Sequence, residues 1–240
     1  NQLLGAINSD SLLTNKILQS LIKEELFHLM LQKSLIKDKF LEKLLTKLRY
    51  EMLFILDNSN KDNLKEHFNF IISLAEQSWF NEYVYIQSEK EINEINKLKY
   101  KIENNDEINE SEIAILGTYI PLNSSEIIIN KLLDYKSSNI LFDDLINIQI
   151  KEPLKELELV KSITSLDVID DAVSKKVREQ YEENPYPRWR FTYKYLSKNF
   201  FVVLNEDIKP NQIDHNNKFN NPNVLIAGCG TGSHSINAIK

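Results

Sequence analysis

The sequence predicts a mainly helical N-terminal domain followed by the first strand, turn and helix of an α/β domain. Three observations support this fold class. Apolar residues recur at three- and four-residue spacing through residues 1–165, as on amphipathic helices. A short unbroken apolar run, VLIA at residues 224–227, follows near the end of the chain. Three of the chain's five glycines, Gly228, Gly230 and Gly232, come directly after that run. This is typical of a tight turn between a buried strand and a helix.

The composition is that of an ordinary globular protein. Of the 240 residues, 42% are hydrophobic and 27% are charged, which is usual for a water-soluble domain. Lys, Glu or Asp interrupts each apolar run well before the roughly 18 residues that a membrane span needs, and no targeting segment stands out. We therefore expect a cytoplasmic protein without membrane contact. One cysteine and four scattered histidines favour neither a disulfide framework nor a metal site.

Charge is distributed unevenly along the chain. The net charge of −6 argues against a broad nucleic-acid surface, which depends on clustered Lys and Arg. Residues 1–50 nevertheless carry eight basic and five acidic residues, a local net charge of +3. This excess indicates a solvated helix face, and the alternative is a surface that meets an acidic partner.

The first part of the helical domain contains three predicted helices. They cover residues 12–31, about 38–56 and 63–79, and the second ends at the polar run 57–60. Ser9, Asp10 and Ser11 are the candidate N-caps of the first helix. The residues expected on the buried faces are Leu13, Ile17, Leu21, Leu26 and Leu29 in the first helix, Phe40, Leu44, Leu48 and Phe54 in the second, and Phe68, Ile71, Ile72 and Ala75 in the third.

A capping box predicts where the fourth helix begins. Ser88 followed by Glu91 has the spacing of this motif, so we expect a helix from about Ser88 to Lys101. The remaining predicted segments are a polar loop at 104–107 and shorter helices over 110–116, 125–133 and 140–148. In the alternative, the last of these helices continues across Pro153 to residue 162.

Two functional interpretations of the helical domain stay open. It is either part of an α-solenoid that binds other proteins or a fixed cap on a catalytic domain. The period of about 34 residues that tetratricopeptide repeats show is not visible, which weakens the solenoid interpretation. His28 and His67 lie among Leu and Phe, so we interpret them as packed or surface histidines rather than ligands.

The run NEYVYI at residues 81–86 is rich in aromatic and β-branched residues. The favoured interpretation is a helix end and connector that packs Tyr83 and Tyr85 into the core. In the alternative, Asn81, Glu82 or Tyr85 lines a pocket shared with the next domain.

A second informative segment is QYEENPYPRW at residues 180–189, which we call the strap. Pro185 stops the preceding helix and Pro187 holds the chain extended, so the segment is stiff and aromatic with one basic side chain. It is either a lid over a cofactor or substrate, or a packing connector between two domains. The candidate lid or substrate residues are Tyr181, Tyr186, Arg188 and Trp189.

The glycine-rich turn has the spacing G-x-G-x-G, whereas dinucleotide-binding folds usually have G-x-G-x-x-G. The stretch VLIAGCGTG resembles motif I of the class I S-adenosylmethionine-dependent methyltransferases, with nicotinamide or flavin binding as the alternative. Most members of that family have Asp or Glu where this chain has Ile226. The resemblance implies S-adenosylmethionine as cofactor, held at its amino-acid end by Gly228, Cys229, Gly230, Thr231 and Gly232.

A longer resemblance covers about residues 41–240. The run DDAVSKKVREQYEENPYPRW, followed about forty residues later by IAGCGTGSHS, is similar to bacterial methyltransferases in which a helical, tetratricopeptide-associated region precedes a class I catalytic domain. The run NEYVY within a helical lead-in also fits that family. The helical periodicity predicts a helical domain over residues 1–165. The resemblance implies that a helix, strap and connector over 166–222 lead into the start of a Rossmann-like catalytic domain over 223–240.

These features predict methyl transfer from S-adenosylmethionine, which depends on alignment of nucleophile, methyl carbon and leaving sulfur. The chain ends eight residues after its last glycine, so we expect it to be a piece of a longer enzyme, inactive alone and weak in cofactor binding. No catalytic residue is assigned, and the resemblance names no acceptor, which is a small molecule or a protein. The alternative function is a helical protein-interaction scaffold with a nucleotide-binding-like α/β tail.

Overall fold

The computed structural model describes residues 13, 15–55, 61–164, 170–183, 188–191, 197–213 and 223–239. It is mostly helical, with 67% helix, and contains no strand in these ranges, so the prediction of a mainly helical chain is confirmed. Within the same ranges, no helix is both long enough and apolar enough to cross a bilayer. The predicted features that lie outside the described residues are the caps Ser9, Asp10 and Ser11, the polar run 57–60, and Tyr186 of the strap.

The chain divides into two compact units, unit 1 (Asn1–Ile169) and unit 2 (Asp170–Lys240). The described part of unit 1 consists of helices joined by short connections. A 3-10 turn, Leu122–Ser124, precedes the helix that begins at Glu126, and a π-helical turn, Asn147–Lys151, joins the helix that ends at Ile146 to the one that begins at Glu152. The α-helices are α1 (Lys16–Lys23), α2 (Glu25–Lys33), α3 (Lys39–Ile55), α4 (Lys61–Glu66), α5 (Phe68–Phe80), α6 (Glu89–Asn104), α7 (Glu110–Gly117), α8 (Glu126–Leu132), α9 (Ile140–Ile146) and α10 (Glu152–Val160).

Helix α5 is at the centre of unit 1. All residues from 70 to 80 are buried, and the helix packs against α2, α3, α7 and α9. The buried amide of Gln77 fixes the connection between α2 and α3 to this helix. Its Nε2 donates to the carbonyl oxygens of Leu31 (2.6 Å) and Ser34 (2.8 Å), and its Oε1 accepts from the amide of Ile36 (2.9 Å).

Side-chain caps set several helix starts in unit 1. The predicted capping box is confirmed: the amide of Glu91 donates to Ser88 Oγ (3.3 Å), and the amide of Ser88 donates to Glu91 Oε2 (2.7 Å). Each of these bonds satisfies an amide that has no partner within the helix. The side chains that cap α1, α3, α7, α8 and α9 are Asn15, Asp38, Asn109, Ser125 and Asn139.

Two of the predicted helices are each divided in two, so these predictions of single helices are wrong. The helix predicted over residues 12–31 is interrupted at Glu24, which has an extended conformation with ψ of 117°. The His28 ring donates to the Ile22 carbonyl, which a continuous helix would pair with a backbone amide. The helix predicted over residues 63–79 is interrupted at His67, between α4 and α5.

The buried face of α1 and α2 also differs from the predicted one. Ile17, Leu26 and Leu29, which were expected inside, are 44%, 72% and 36% exposed. Apolar residues occur in adjacent pairs in this segment, such as Leu26 and Phe27, so the sequence permits two apolar faces. Packing of α2 on α5 selects one of them. The residues buried on these two helices are Leu18, Ile22, Phe27, Leu31 and Gln32.

Three helices lie in the described part of unit 2: α11 (Ala172–Glu183), α12 (Phe200–Asp207) and α13 (Ser233–Ile239). The strand predicted at residues 224–227 is not formed, and Leu225 is 92% exposed. A parallel strand needs neighbouring strands to bond its N–H and C=O groups. The described residues contain no such neighbour, so the apolar run continues without pairing into the glycine turn.

Candidate functional site

The glycine turn of unit 2 adopts the left-handed backbone that its composition predicts. The φ angles of Gly228, Gly230 and Gly232 are +67°, +53° and +86°, values at which a side chain is strained. A Cβ atom added to any of the three would meet no described atom within 4 Å. The backbone conformation, rather than crowding within the unit, therefore requires glycine here. The side of the turn on which these Cβ atoms would lie is open.

Trp189 of the strap contacts this turn. Its indole Nε1 lies 3.1 Å from the carbonyl oxygen of Thr231 and 3.1 Å from the Thr231 hydroxyl oxygen, so one N–H donates to both acceptors. The indole is partly buried, and the two residues are 42 positions apart in the chain. The structure therefore brings together two segments that the sequence marked separately, the strap and the glycine turn.

The other predicted site residues of unit 2 have less defined positions. Tyr181 lies on the last turn of α11 and is 66% exposed. Arg188 is half-buried and adjoins Trp189 in the chain, whereas Cys229 is exposed within the turn. A role of Tyr181, Arg188 or Cys229 in binding remains a prediction.

Unit 1 contains a buried charged cluster that was not predicted. Arg49 on α3 is 1% exposed, and its Cζ lies 4.1 Å from the centroid of the Tyr119 ring. Arg49 Nη2 donates to the carbonyl oxygen of Ile86 (2.8 Å) and lies 3.8 Å from Glu91 Oε1. The same carboxylate oxygen accepts from the Tyr119 hydroxyl (2.8 Å). One cation thus links α3, the connector before α6, α6 itself and the chain after α7.

Burial shifts the pKa values of this cluster. Loss of solvation lowers the pKa of the Arg49 guanidinium, and the neighbouring Tyr119 and Glu91 oppose this effect. Loss of solvation also raises the pKa of Tyr119 well above its usual value. For Tyr85, whose ring centroid lies 5.6 Å from Arg49 Cζ, burial raises the pKa to about 12. Both tyrosines are therefore neutral at pH 7, and Glu91 is the nearby anion that balances Arg49.

A groove of about 540 Å³ lies beside this cluster. Lys39, Lys43 and Lys47 line it from α3, where a spacing of four residues places them on one side of the helix. Tyr50 of the same helix and Ile86 of the connector contribute apolar surface. The volume is within the range of about 300–1,000 Å³ that small-molecule sites occupy.

The connector between α5 and α6 reaches this groove through two strained residues. Glu82 and Tyr83 are not glycines, yet each has φ of +57°, a conformation that costs on the order of 1 kcal/mol or more. After this turn Tyr85 is 3% exposed and Ile86 is 80% exposed. The predicted packing of Tyr85 into the core is confirmed. The alternative, in which Asn81 and its neighbours line a pocket shared with the next domain, remains a prediction.

The sequence does contain signals for the unpredicted cluster and groove. Arg49 falls on the apolar stripe of α3 between Leu45 and Met52, where only a paired cation is tolerated. The four-residue lysine spacing is equally visible. Neither signal identifies Tyr119 or Ile86 as partners, because those residues come from distant parts of the chain. Within the described residues, no group of three or more His, Cys, Asp and Glu is placed to hold a metal ion.

Comparisons with known proteins reveal no relative. The chain matches no family model, no curated protein and no solved structure.

Proposed function

We propose that this protein is an S-adenosylmethionine-dependent methyltransferase whose glycine turn holds the amino-acid end of the cofactor. The observation that carries this proposal is the hydrogen bond from Trp189 Nε1 to Thr231. The strap and the turn are the two motifs that resemble the same enzyme family, and this bond joins them within unit 2. Contact between a stiff aromatic segment and a cofactor loop is what a lid requires.

The backbone of the turn supports the binding of a carboxylate. The three glycines have positive φ, and the space where their Cβ atoms would lie holds no described atom within 4 Å. The amide of Gly232 donates to the Cys229 carbonyl (3.0 Å), which closes the turn. Successive amides in such turns form concave sites for anions. The amino-acid end of S-adenosylmethionine carries a carboxylate, so the amides of residues 228–231 are its proposed donors.

Each part of the chain has a distinct proposed role. When bound, S-adenosylmethionine supplies an activated methyl group, which a small-molecule or protein acceptor takes by in-line displacement. The turn amides orient the cofactor, and Trp189 covers it from the strap, with Tyr181, Tyr186 and Arg188 as further candidates for contact with cofactor or acceptor. Shielding from water and correct alignment are the contributions that such residues make to the rate.

The two tryptophans of the chain make a specific test possible. Trp189 donates to the turn, whereas Trp79 is 7% exposed in unit 1 and serves as an internal control. In two-dimensional proton–nitrogen NMR spectra, we expect S-adenosylmethionine to shift the Trp189 indole signal and the amide signals of Gly228, Gly230 and Gly232. The Trp79 indole signal should not move. Gly230→Val places a branched side chain in the turn and should abolish the shifts.

Two outcomes of this titration would contradict the proposal. One is the absence of any shift at the turn with S-adenosylmethionine at about 5 mM, which sets a lower limit of roughly that value on Kd. The other is an equal response to NAD⁺, which would favour a dinucleotide site instead.

A helical protein-interaction module is the alternative function, and α10 favours it. No residue of α10 is buried, and Leu157, Leu159 and Val160 are 64%, 53% and 63% exposed. Adjacent exposed apolar residues are typical of a surface that another protein covers. Affinity capture with the whole chain and with a chain lacking residues 166–240 separates the two functions. Equal recovery of the same partner by both chains would favour the interaction module.

A further inference from the structure

We propose that the groove beside α3 is a binding site for a small organic anion with an apolar body, such as an acyl or aryl carboxylate. The groove lies entirely within unit 1 and shares no residue with the glycine turn. Its volume of about 540 Å³ suits one small molecule rather than an extended peptide.

Three lysines provide the attraction for an anion. Lys39, Lys43 and Lys47 follow one another at four-residue intervals along α3. A helix rises about 1.5 Å per residue, so their Cα atoms are about 6 Å apart along the axis. Two neighbouring ammonium groups on flexible stems can therefore reach one carboxylate. A bound anion also relieves the repulsion between these like charges.

Two glutamates in the groove reduce the positive charge without removing it. Glu91 is 4% exposed, accepts from the Tyr119 hydroxyl and lies 3.8 Å from Arg49, so its charge is balanced within unit 1. Glu42 is the other acidic residue of the lining. Lys39 and Lys43 against Glu42 leave an excess of positive charge, which selects an anion over a cation.

The apolar part of the groove is held in a fixed position. The Tyr50 ring is 4.6 Å from the Phe54 ring, centroid to centroid. Ile86 is 80% exposed, yet Arg49 fixes its backbone by donating to its carbonyl at 2.8 Å. The strained residues Glu82 and Tyr83 precede it. An exposed isoleucine presented by a strained and anchored segment is a feature of binding sites, where such strain is often found. The methylene stems of the lysines add further apolar surface.

Decanoate is a suitable probe because it combines a carboxylate with an acyl body. Titration into the ¹⁵N-labelled 240-residue chain should give saturable shifts at the amides of residues 39–50 and 84–88, with Kd below about 1 mM. Decanol has the same body without charge, and acetate has the charge without the body. Each should bind at least about tenfold more weakly, because each lacks one of the two contributions.

Variants of the lining separate charge from shape. Lys43→Glu should weaken decanoate binding by about tenfold or more, and Ile86→Ser should weaken it by about threefold or more. Glu42→Gln should strengthen it by about threefold, because an opposing charge is removed. Lys155→Glu on α10 makes the same charge change as Lys43→Glu but lies outside the lining. The Kd for decanoate should therefore stay within about twofold of the parent value.

Three results would overturn the proposal. They are unchanged decanoate affinity in both Lys43→Glu and Glu42→Gln, equal affinity for decanol and decanoate, and stronger binding of a hexaglutamate peptide than of decanoate. The last result would indicate an acidic protein partner instead. Each variant alters a side chain that is not in the core, so melting temperatures within about 2 °C of the parent identify the folded variants.

Discussion

Leu48 of unit 1 lies on the apolar stripe of α3, and Leu225 of unit 2 lies in the apolar run 224–227, but Leu48 is 0% exposed and Leu225 is 92% exposed. The contrast extends to the units, because no described residue of unit 2 is buried. A helix bonds its own backbone and needs only a neighbour for its apolar stripe, which α5 provides in unit 1. A parallel strand needs partners on both sides. An apolar run therefore becomes core only when the same unit supplies the element that covers it.

The polar contacts of the two units differ in the same way. In unit 1, Arg49 and Gln77 are buried and bond residues from several helices. In unit 2 many of the hydrogen bonds are local, such as the bond from the amide of Phe201 to the cap Asn199 (2.9 Å). The Trp189 bond to Thr231 is the long-range exception at the proposed site. We expect unit 2 to open at lower free energy than unit 1, because it buries less apolar surface.

The largest expected effect comes from the leucine pair itself. Leu48→Ala removes a fully buried side chain and should lower the free energy of unfolding of unit 1 by about 4 kcal/mol. Leu225→Ala removes an exposed side chain and should change stability by less than about 0.5 kcal/mol. Chemical denaturation followed by Trp79 fluorescence measures the first variant, and circular dichroism compares both. Similar losses in the two variants would show that Leu225 is covered in solution.

The next largest effect tests the buried cation of unit 1. Arg49→Met leaves Glu91 buried without its cation and should cost about 3 kcal/mol. Glu91→Gln in the same chain removes the unpaired charge, so the double variant should recover part of this loss. Denaturation of the parent, the two single variants and the double variant gives the coupling energy between Arg49 and Glu91. Strictly additive losses of stability would mean that Arg49 stabilises unit 1 only through its contacts with tyrosine rings and backbone carbonyl oxygens, and not through Glu91. Lys155→Met is the matched surface control.

A smaller effect depends on pH and is confined to unit 1. Burial lowers the pKa of His67 in the folded state, with Glu66 raising it and Lys23 lowering it further. As the pH falls from about 6.5, His67 therefore takes up a proton in the unfolded chain before it does so in the folded chain. Stability is complete above that pH and decreases below it, by at most about 1.4 kcal/mol per pH unit. His67→Asn should flatten this slope between pH 6.5 and 5 in denaturant titrations. An unchanged slope would assign the pH dependence to other groups.

The smallest effect concerns the hydrogen bonds from Trp189 of the strap to Thr231 of the turn. Trp189→Phe retains an aromatic ring and removes the indole N–H, so unit 2 should lose about 1 kcal/mol and unit 1 nothing. Faster amide hydrogen exchange at residues 230–236 would report the loss. Trp79→Phe is the matched control and should leave that exchange unchanged. Unaltered exchange in Trp189→Phe would show that the strap does not hold the turn.

Under the proposed methyltransferase function, Arg188→Ala distinguishes a lid over the cofactor from a packing connector. If Arg188 belongs to a lid, its substitution should lower the methyl-transfer rate. The melting temperature should stay nearly unchanged, because a partly exposed arginine contributes little to folding. Parallel measurement of rate and melting temperature provides the answer. A normal rate would leave the strap as a structural connector.

The sequence by itself determined the local features of this protein. The helical content, the capping box of Ser88 and Glu91, and the positive φ of Gly228, Gly230 and Gly232 all follow from residues close together in the chain. Caps and turns involve residues only a few positions apart, so a short stretch of sequence is enough to predict them. The sequence also named both segments of the candidate site.

Only the tertiary structure decided which of these segments meet. It selected the buried face of α1 and α2 from two apolar faces, interrupted a helix at Glu24, and paired Arg49 with Tyr119 seventy positions later in the chain. It also placed Trp189 on Thr231, and among the described residues it gave the apolar run at 224–227 no partner strand. These outcomes depend on contacts between distant residues, whose energies outweigh the small local preferences for one conformation over another.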